Sequence, residues 1–379
     1  MDEKFIDFIQ ENFKSKDFIP LHPPVFIGNE KIYLNDCIDS TFVSSVGPYV
    51  NRFEEEFAEF TQTKKATAVV NGTSALHVSL RLSGVSAGDE VITQALTFVA
   101  TTNAIVYAGA APVFVDVDRD TMGLSPVALK SFLEEFAEVK PTGTFNKFSG
   151  KRIAACMPMH TFGFMCRIDE IVNICNLYNI PVVEDAAESL GSSYKGKSSG
   201  SFGLVSGFSF NGNKIITAGG GGAIVSNDIE LSQKAKHLTT TAKEPHPWEY
   251  VHNELGYNYR MPNINAALVC AQLEKFQEIL TKKRNLYDVY KNNLVDFGLQ
   301  IVEIPEDTKW NYWLMSVLLD NKKERDEFLK FTNSKGVMTR PIWQLMFKLP
   351  MYENCQRDKQ ENALFLEERI VNIPSGVIL

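Results

Sequence analysis

Only six of the 379 residues are cysteine, and none of Cys37, Cys156, Cys166, Cys175, Cys270 and Cys355 stands in C-x-x-C spacing with another. With no secretory leader in view, these thiols are expected to stay reduced in a cytoplasmic protein. Neither Cys nor the six His cluster at ligand spacing, so no metal site is expected. Residues Met1 to Lys16 lack an uninterrupted apolar stretch. They read as an amphipathic helix through Phe5, Ile6, Phe8, Ile9 and Phe13 and not as a signal peptide. A membrane span is missing too. The longest charge-free run, Val91 to Val115, carries Gln94, Asn103, four threonines and Pro112, which suits a buried strand–helix–strand passage. There is no excess of base: 38 Lys+Arg against 46 Asp+Glu leave a net charge of −8. That argues against coating nucleic acid or anionic membrane, because both need a basic face. Repeats and low-complexity tracts are also absent.

What is present is 44% hydrophobic and 22% charged residues, in a chain long enough for a large core and two domains. From about residue 65, short apolar runs alternate with helical patterns. Strands are expected at Ala66–Val70, Glu90–Thr93, Pro112–Val117, Arg152–Pro158 and Pro181–Glu184. Helices are expected at Thr73–Leu82 and Phe98–Tyr107, from Ser125, and at Ile168–Tyr178. The alternation implies an α/β fold with a mostly parallel sheet covered on both faces, whose ligands sit beyond the carboxyl ends of the strands. Leu204–Phe210 and Ala223–Ser226 read as two further strands around a glycine-rich stretch. One long helix is expected over Asn265–Leu294, a strand over Tyr312–Leu319, and a surface loop over Thr142–Gly150. The resulting division is an N-terminal helical arm (1–20), a large α/β domain (21–245) and a small C-terminal domain (246–379).

Three features carry chemistry. In the thirty residues from Ser198 to Asn227 the only charged side chain is Lys214, between SFNGN and IITAGGGG. Such surroundings desolvate an amine and favour the nucleophilic form that makes a Schiff base, although a solvated loop lysine fits the same text. The run Gly219–Gly222 favours the first reading, because four glycines allow close backbone approach. Asp185, in VVEDAAES, ends a strand where ligand-binding groups gather. It is either the N-cap of a turn or the carboxylate that keeps a pyridine nitrogen protonated. In VVNGTSALHVSL a strand runs through Asn71-Gly72 into a helix opening at Thr73-Ser74. That is either an ordinary capped start or a phosphate cradle of amides, hydroxyls and helix dipole. Pyridoxal phosphate needs all three, in one α/β domain.

Two pattern matches are set aside. Gly191 to Ser198 satisfies G-x-x-x-x-G-K-[ST], but SGSFGLVSGFSF cannot open the helix a phosphate loop requires, so a turn between two strands is expected. Asn71-Gly72-Thr73 fits the N-glycosylation pattern, which is idle in a cytoplasmic protein.

The segments GNEKIYLNDCIDSTFVSSVGPYVNRFEEEFAEF, NGTSALHVSL, TFVATTNAI, VEDAAESLGS, SFNGNKIITAGGGG and GYNYRMPNINAAL resemble the DegT/DnrJ/StrS family of sugar aminotransferases, from about Leu21 to Pro374. Within it, CIDSTFVSSVG, PMHTFG and KHLTTTAK are most similar to the LegC-type branch, linked to legionaminic acid and related bacterial surface sugars. The resemblance implies the fold of type I pyridoxal-phosphate transferases, with a seven-stranded-type sheet. It also implies a homodimer with shared active sites, L-glutamate as donor and a nucleotide-linked keto-sugar as acceptor. By motif, Lys214 is then the Schiff-base lysine, Asp185 the partner of the pyridine nitrogen, Glu188 the neighbour of the ring hydroxyl, and Phe98 a stacking ring. Gly72, Thr73, Ser74 and Ser209 hold the phosphate, helped by Asn258 of the partner subunit. Arg260 and Arg340 meet the sugar nucleotide or the donor carboxylate. His160, in PMHTFG, either lines the sugar pocket or is a structural histidine at a strand end.

Two departures stand out: Asn211 where many members carry histidine, and Gly220 where many carry an acid. Neither removes a group that transamination requires. Lys214 argues against the dehydratases, in which a histidine replaces it. The implied acceptor is UDP-2-acetamido-4-keto-2,4,6-trideoxyhexose. Alternatives are amination at C3, GDP-4-keto-6-deoxymannose as acceptor, or a non-catalytic nucleotide-sugar sensor.

Overall fold

The computed structural model describes residues 3–379. Seven strands build its central sheet: β1 (Lys65–Val69), β2 (Glu90–Gln94), β3 (Ala111–Val115), β4 (Ile153–Met157), β5 (Val183–Asp185), β6 (Val205–Ser209) and β7 (Gly222–Ser226). Their spatial order is β1-β7-β6-β5-β4-β2-β3. The junction of β5 with β4 is made by the parallel bridges Cys156↔Val182 and Met159↔Asp185. Strand β7 runs antiparallel to both of its neighbours, and the other pairings are parallel.

Period-two alternation in these strands feeds two separate cores. Val91, Ala155 and Met157 pack with Leu76, Leu80, Ile105 and Leu238 from helices on one face. Ile92 and Cys156 pack with Leu129, Leu133, Ile171 and Cys175 on the other. Both faces are thus covered, and each strand reads as an apolar run. The helix starts follow local chemistry. The Asn71, Ser125, Asp228 and Asn321 side chains each accept the backbone N–H three residues on.

A smaller antiparallel sheet of Gln300–Ile301, Ser316–Leu318, Ile370–Asn372 and Arg340–Pro341, paired in that order, lies beside the carboxyl edge of the large one. The N-terminal helix Glu3–Phe13 packs there, with Phe5 against Phe297 and Phe328. Residues 1 and 2 of the expected N-terminal helix lie outside the described residues. No helix among the described residues is long and apolar enough to cross a membrane.

Three local expectations are corrected. The segment read as a loop forms a hairpin, with Gly143–Asn146 paired to Ala137–Lys140. It is held from inside by the Asn146 amide, which donates to Glu90 Oε2 at 2.7 Å. The single long helix is two, Asn263–Glu274 and Phe276–Asn293. Lys275 leaves helical geometry between them, and Phe276 then meets Phe60 edge-on at 4.9 Å. The expected strand over Tyr312–Leu319 shrinks to Ser316–Leu318, because Tyr312 adopts a positive φ of 57° and breaks the extended run. Residues Ser193–Tyr194 and Lys197–Ser198 form the turn-linked strand pair expected there.

Candidate active site

At the carboxyl ends of β1, β5 and β6 the sheet and the segments around the small antiparallel sheet enclose a cavity of about 640 Å³. That volume lies within the range of roughly 300–1,000 Å³ typical of small-molecule sites. Gly72, Thr73, Phe98, Thr101, Asp185, Glu188, Ser209 and Lys214 line its sheet side. Trp313, Arg340, Trp343 and Gln344 close it from the side of the small sheet.

Lys214 follows β6 on a turn that places its Nζ 3.3 Å from Glu188 Oε1 and 4.1 Å from the Trp313 ring centroid. Its side chain keeps only 12% exposure. Glu188 is buried, and burial pushes its carboxyl up to about 7 although Lys214 pulls the other way. Its second oxygen accepts the Phe162 amide at 2.9 Å. Phe162 sits at φ 55°, a left-handed conformation uncommon for a bulky residue, and its carbonyl accepts the Trp310 indole N–H at 2.9 Å.

Asp185 ends β5. One oxygen accepts the Thr101 hydroxyl at 2.7 Å and the other the Ala187 amide at 3.1 Å. Burial raises its carboxyl above the ordinary range, and among the described residues no ion pair compensates it. A protonated pyridine nitrogen would supply such a cation. The phosphate end fits equally. Gly72 and Thr73 are the first residues of helix Gly72–Leu82, so their amides have no intrahelical acceptor. Any Cβ on Gly72 would meet Ser209 Cβ at 2.7 Å, so glycine is what brings the helix start against the Ser209 hydroxyl. The donor set therefore matches pyridoxal phosphate at both ends, with Lys214 between them.

The other sequence candidates are placed as follows. Phe98, half exposed, lines the cavity 6.3 Å from Trp343 in an edge-on contact. Ser74 is not among the residues lining the cavity, and its amide donates to Asn71 Oδ1 at 2.8 Å. Arg340 reaches the cavity wall while also donating to Asn333 Oδ1 at 3.1 Å. Asn258 and Arg260 are not in this cavity. They bond to each other at 2.9 Å and 3.0 Å, and Arg260 lines a separate depression with Phe42, Pro48 and Lys236.

His160 is fully buried and absent from the cavity wall. Its Nδ1 lies 3.2 Å from the Cys166 amide nitrogen and its Nε2 3.0 Å from Glu184 Oε2; burial lowers the ring, but Cys166 and Glu184 outweigh it and push it up to about 10. Both nitrogens are spent inside the protein, and the histidine serves structure. Glu184 is held below the ordinary carboxyl range. Burial acts against that shift, but His160 and the Gly203 and Gly200 amides outweigh it.

The glycine run does allow a close backbone approach. A Cβ on Gly222 would lie 2.5 Å from the Asn71 carbonyl oxygen, so the close approach is to the chain's own phosphate-side turn. A Cβ on Gly220 would make an ordinary contact with the Val70 carbonyl oxygen at 3.9 Å, and Asn211 lines the cavity with its amide on Asn213 Oδ1 at 3.1 Å. Thr101, Phe162, Trp313 and Trp343 were not singled out from sequence. Thr101 lay within the family-like segment TFVATTNAI, whereas the tryptophans of the small domain carry no local signal.

The comparisons agree with this geometry. Residues 26–379 match the model of the DegT/DnrJ/EryC1/StrS aminotransferase family. GDP-perosamine synthase of Escherichia coli O157:H7 is 40% identical over 358 residues, covering 94% of this chain and 93% of that protein. Among solved structures, the aminotransferase TlmJ from Streptoalloteichus hindustanus superposes with a TM-score of 0.85 at 25% identity, covering 94% of this chain and 93% of that one. DesI, solved in the presence of its TDP-sugar product, gives 0.83 at 25% identity, covering 96% of this chain and 90% of that one. A protein of Bacillus subtilis strain 168 named as the putative pyridoxal phosphate-dependent aminotransferase EpsN is 42% identical over 363 residues, covering 94% of this chain and 91% of that protein. The chain belongs to the DegT/DnrJ/EryC1/StrS aminotransferase family and is a sugar aminotransferase that uses pyridoxal phosphate.

Proposed function

We propose that this enzyme moves the amino group of L-glutamate to C4 of a nucleotide-linked 4-keto-6-deoxy sugar in bacterial surface-sugar biosynthesis. UDP-2-acetamido-4-keto-2,4,6-trideoxyhexose is the acceptor that the LegC-like segments favour. A second acceptor, GDP-4-keto-6-deoxymannose, is favoured by the name of the 40%-identical relative. The reading rests on one observation: Lys214 Nζ, Glu188 and Asp185 face one cavity whose far end is a helix start with free amides.

Pyridoxal phosphate, when bound, supplies a protonated conjugated ring that takes up the electrons released when the donor's Cα–H bond breaks. The chain's own groups do the rest. Asp185 would keep the ring nitrogen protonated, the Gly72–Thr73 amides with the Thr73 and Ser209 hydroxyls would hold the phosphate, and Phe98 would pack against the ring. Lys214 Nζ takes the proton from the donor α-carbon and returns it in the opposite sense when the keto-sugar is aminated. Arg340, on the small-domain wall, meets a carboxylate or phosphate of the substrates. The enzyme is proposed to work as a cytoplasmic homodimer, with Asn258 of the partner subunit completing the phosphate site and Arg260 reaching the sugar nucleotide.

The test is to incubate purified protein with pyridoxal phosphate, L-glutamate and each keto-sugar, and to identify products by NMR. A 4-amino sugar from one of the two is expected. Lys214→Ala is expected to lose the visible band of lysine-bound cofactor and to form product at least about a thousandfold more slowly, ~4 kcal/mol in barrier. Full activity in Lys214→Ala would overturn the reading.

A further inference from the structure

Behind Trp313, on the side away from the cavity, helix Phe276–Asn293 carries Lys283 into the interior with no solvent exposure. Among the described residues no carboxylate pairs with it. Its Nζ donates to the Trp313 carbonyl at 3.1 Å and to the Ser375 carbonyl, and it lies 2.9 Å from His22 Nε2. Burial holds Lys283 well below the ordinary lysine range and holds His22 low as well. Two carbonyls and a ring nitrogen thus surround the amine, so one nitrogen joins three segments distant in sequence.

Of the three, Trp313 reaches the active site. Its indole N–H donates to the Asn213 carbonyl at 2.7 Å, and its ring lies 4.1 Å from Lys214 Nζ. Its amide donates to Asn311 Oδ1 at 3.0 Å, so backbone and ring are both fixed. A methionine of similar length would fill the volume but leave the buried Trp313 and Ser375 carbonyls unpaired, so the amine both satisfies and fixes the Trp313 main chain.

We propose that Lys283 is a positioning residue for Lys214, anchoring the Trp313 main chain so that its indole fixes the Asn213–Lys214 segment and backs the amine. It acts only through Trp313. The inference rests on Lys214 being the cofactor lysine, and it adds to that reading a brace outside the cavity. The ionisable groups around the brace are His22 beside Lys283, Lys214, which acts on His22 through space, and Glu188 beyond Lys214.

The experiment compares wild type, Lys283→Met, Trp313→Phe and the double variant, all loaded with pyridoxal phosphate. Two quantities are read: the pH at which the visible band of lysine-bound cofactor titrates, and the rate of the glutamate half-reaction. Lys283→Met and Trp313→Phe are each expected to move the spectral titration in the same direction, by at least about half a pH unit, and to slow the half-reaction about tenfold. The double variant is expected to do no more than the worse single one. A purely structural Lys283 would lower the unfolding midpoint and leave the spectral titration in place. That result, or an additive double variant, overturns the proposal. Should Lys283→Met fail to fold, Trp313→Phe alone decides, since an unmoved titration there removes the route. A wild-type enzyme without a visible band would instead sink the Lys214 reading.

Discussion

Glu188 is where the site's electrostatics can be tested at a single residue. Its carboxyl is buried, shared between the Phe162 amide and Lys214 Nζ, and raised to about 7 from an ordinary 4.5. Between those two values the folded chain holds a proton that the unfolded chain has released. The group's contribution to stability is therefore full below about pH 4.5 and lost as pH rises through 7. Glu188→Gln keeps the shape and cannot titrate, so its stability relative to wild type is expected to rise by roughly 2–3 kcal/mol between pH 5 and 8. Urea unfolding of both cofactor-free proteins across that range measures it, and a pH-independent difference would show that Glu188 stays ionised throughout. At this scale the sequence was legible where isolation itself was the signal, as for Lys214 among thirty uncharged neighbours. It was silent where a partner comes from another segment. Nothing local places Trp313 under Lys214 or Thr101 on Asp185, and His160 looked equally fit for pocket or core until both its nitrogens were seen to be occupied.

Among the elements, the start of helix Gly72–Leu82 carries the most function per residue. Asn71 caps it, Gly72 lets it approach β6, and its free amides face the phosphate end of the cavity. Gly72→Ala drives a methyl to 2.7 Å from Ser209 Cβ, so the helix start must retreat from Ser209. Cofactor affinity is expected to fall about tenfold, ~1.4 kcal/mol, with a stability loss of ~1–2 kcal/mol from overpacking. Titration of the cofactor-free variant with pyridoxal phosphate reads the first, and an unchanged Kd would mean that the cradle does not depend on this approach. The element was visible in sequence because strand, Asn-Gly turn and apolar helix follow one another within a dozen residues. The Gly143–Asn146 hairpin was not, since its polar residues look like a loop until Asn146 finds the buried Glu90. The break at Lys275 was also hidden, because the apolar periodicity runs through it without interruption.

For the whole molecule, strand–helix alternation was enough to foresee a two-faced α/β sheet with its site at the carboxyl edge. It could not foresee that β7 runs antiparallel, which depends on how the chain returns beside β1, nor that the segments at Trp313 and Arg340–Gln344 supply one wall of the cavity. The joint between the two walls is Asn311. Its side-chain amide donates to the carbonyls of Glu188 at 2.8 Å and Leu190 at 3.0 Å, and its oxygen accepts the Trp313 amide at 3.0 Å. One fully buried side chain thus fixes the Glu188 backbone on the sheet side to Trp313 on the small-domain side. Asn311→Ala would leave three backbone groups unpaired away from water, at a cost on the order of 3 kcal/mol. If the joint couples the walls, the variant is expected both to unfold at lower urea and to bind pyridoxal phosphate at least about fivefold more weakly, ~1 kcal/mol, because Glu188 and Trp313 no longer hold their separation. A variant that loses stability yet binds the cofactor with wild-type affinity would show that each wall is set by its own domain, and that Asn311 only fastens them together.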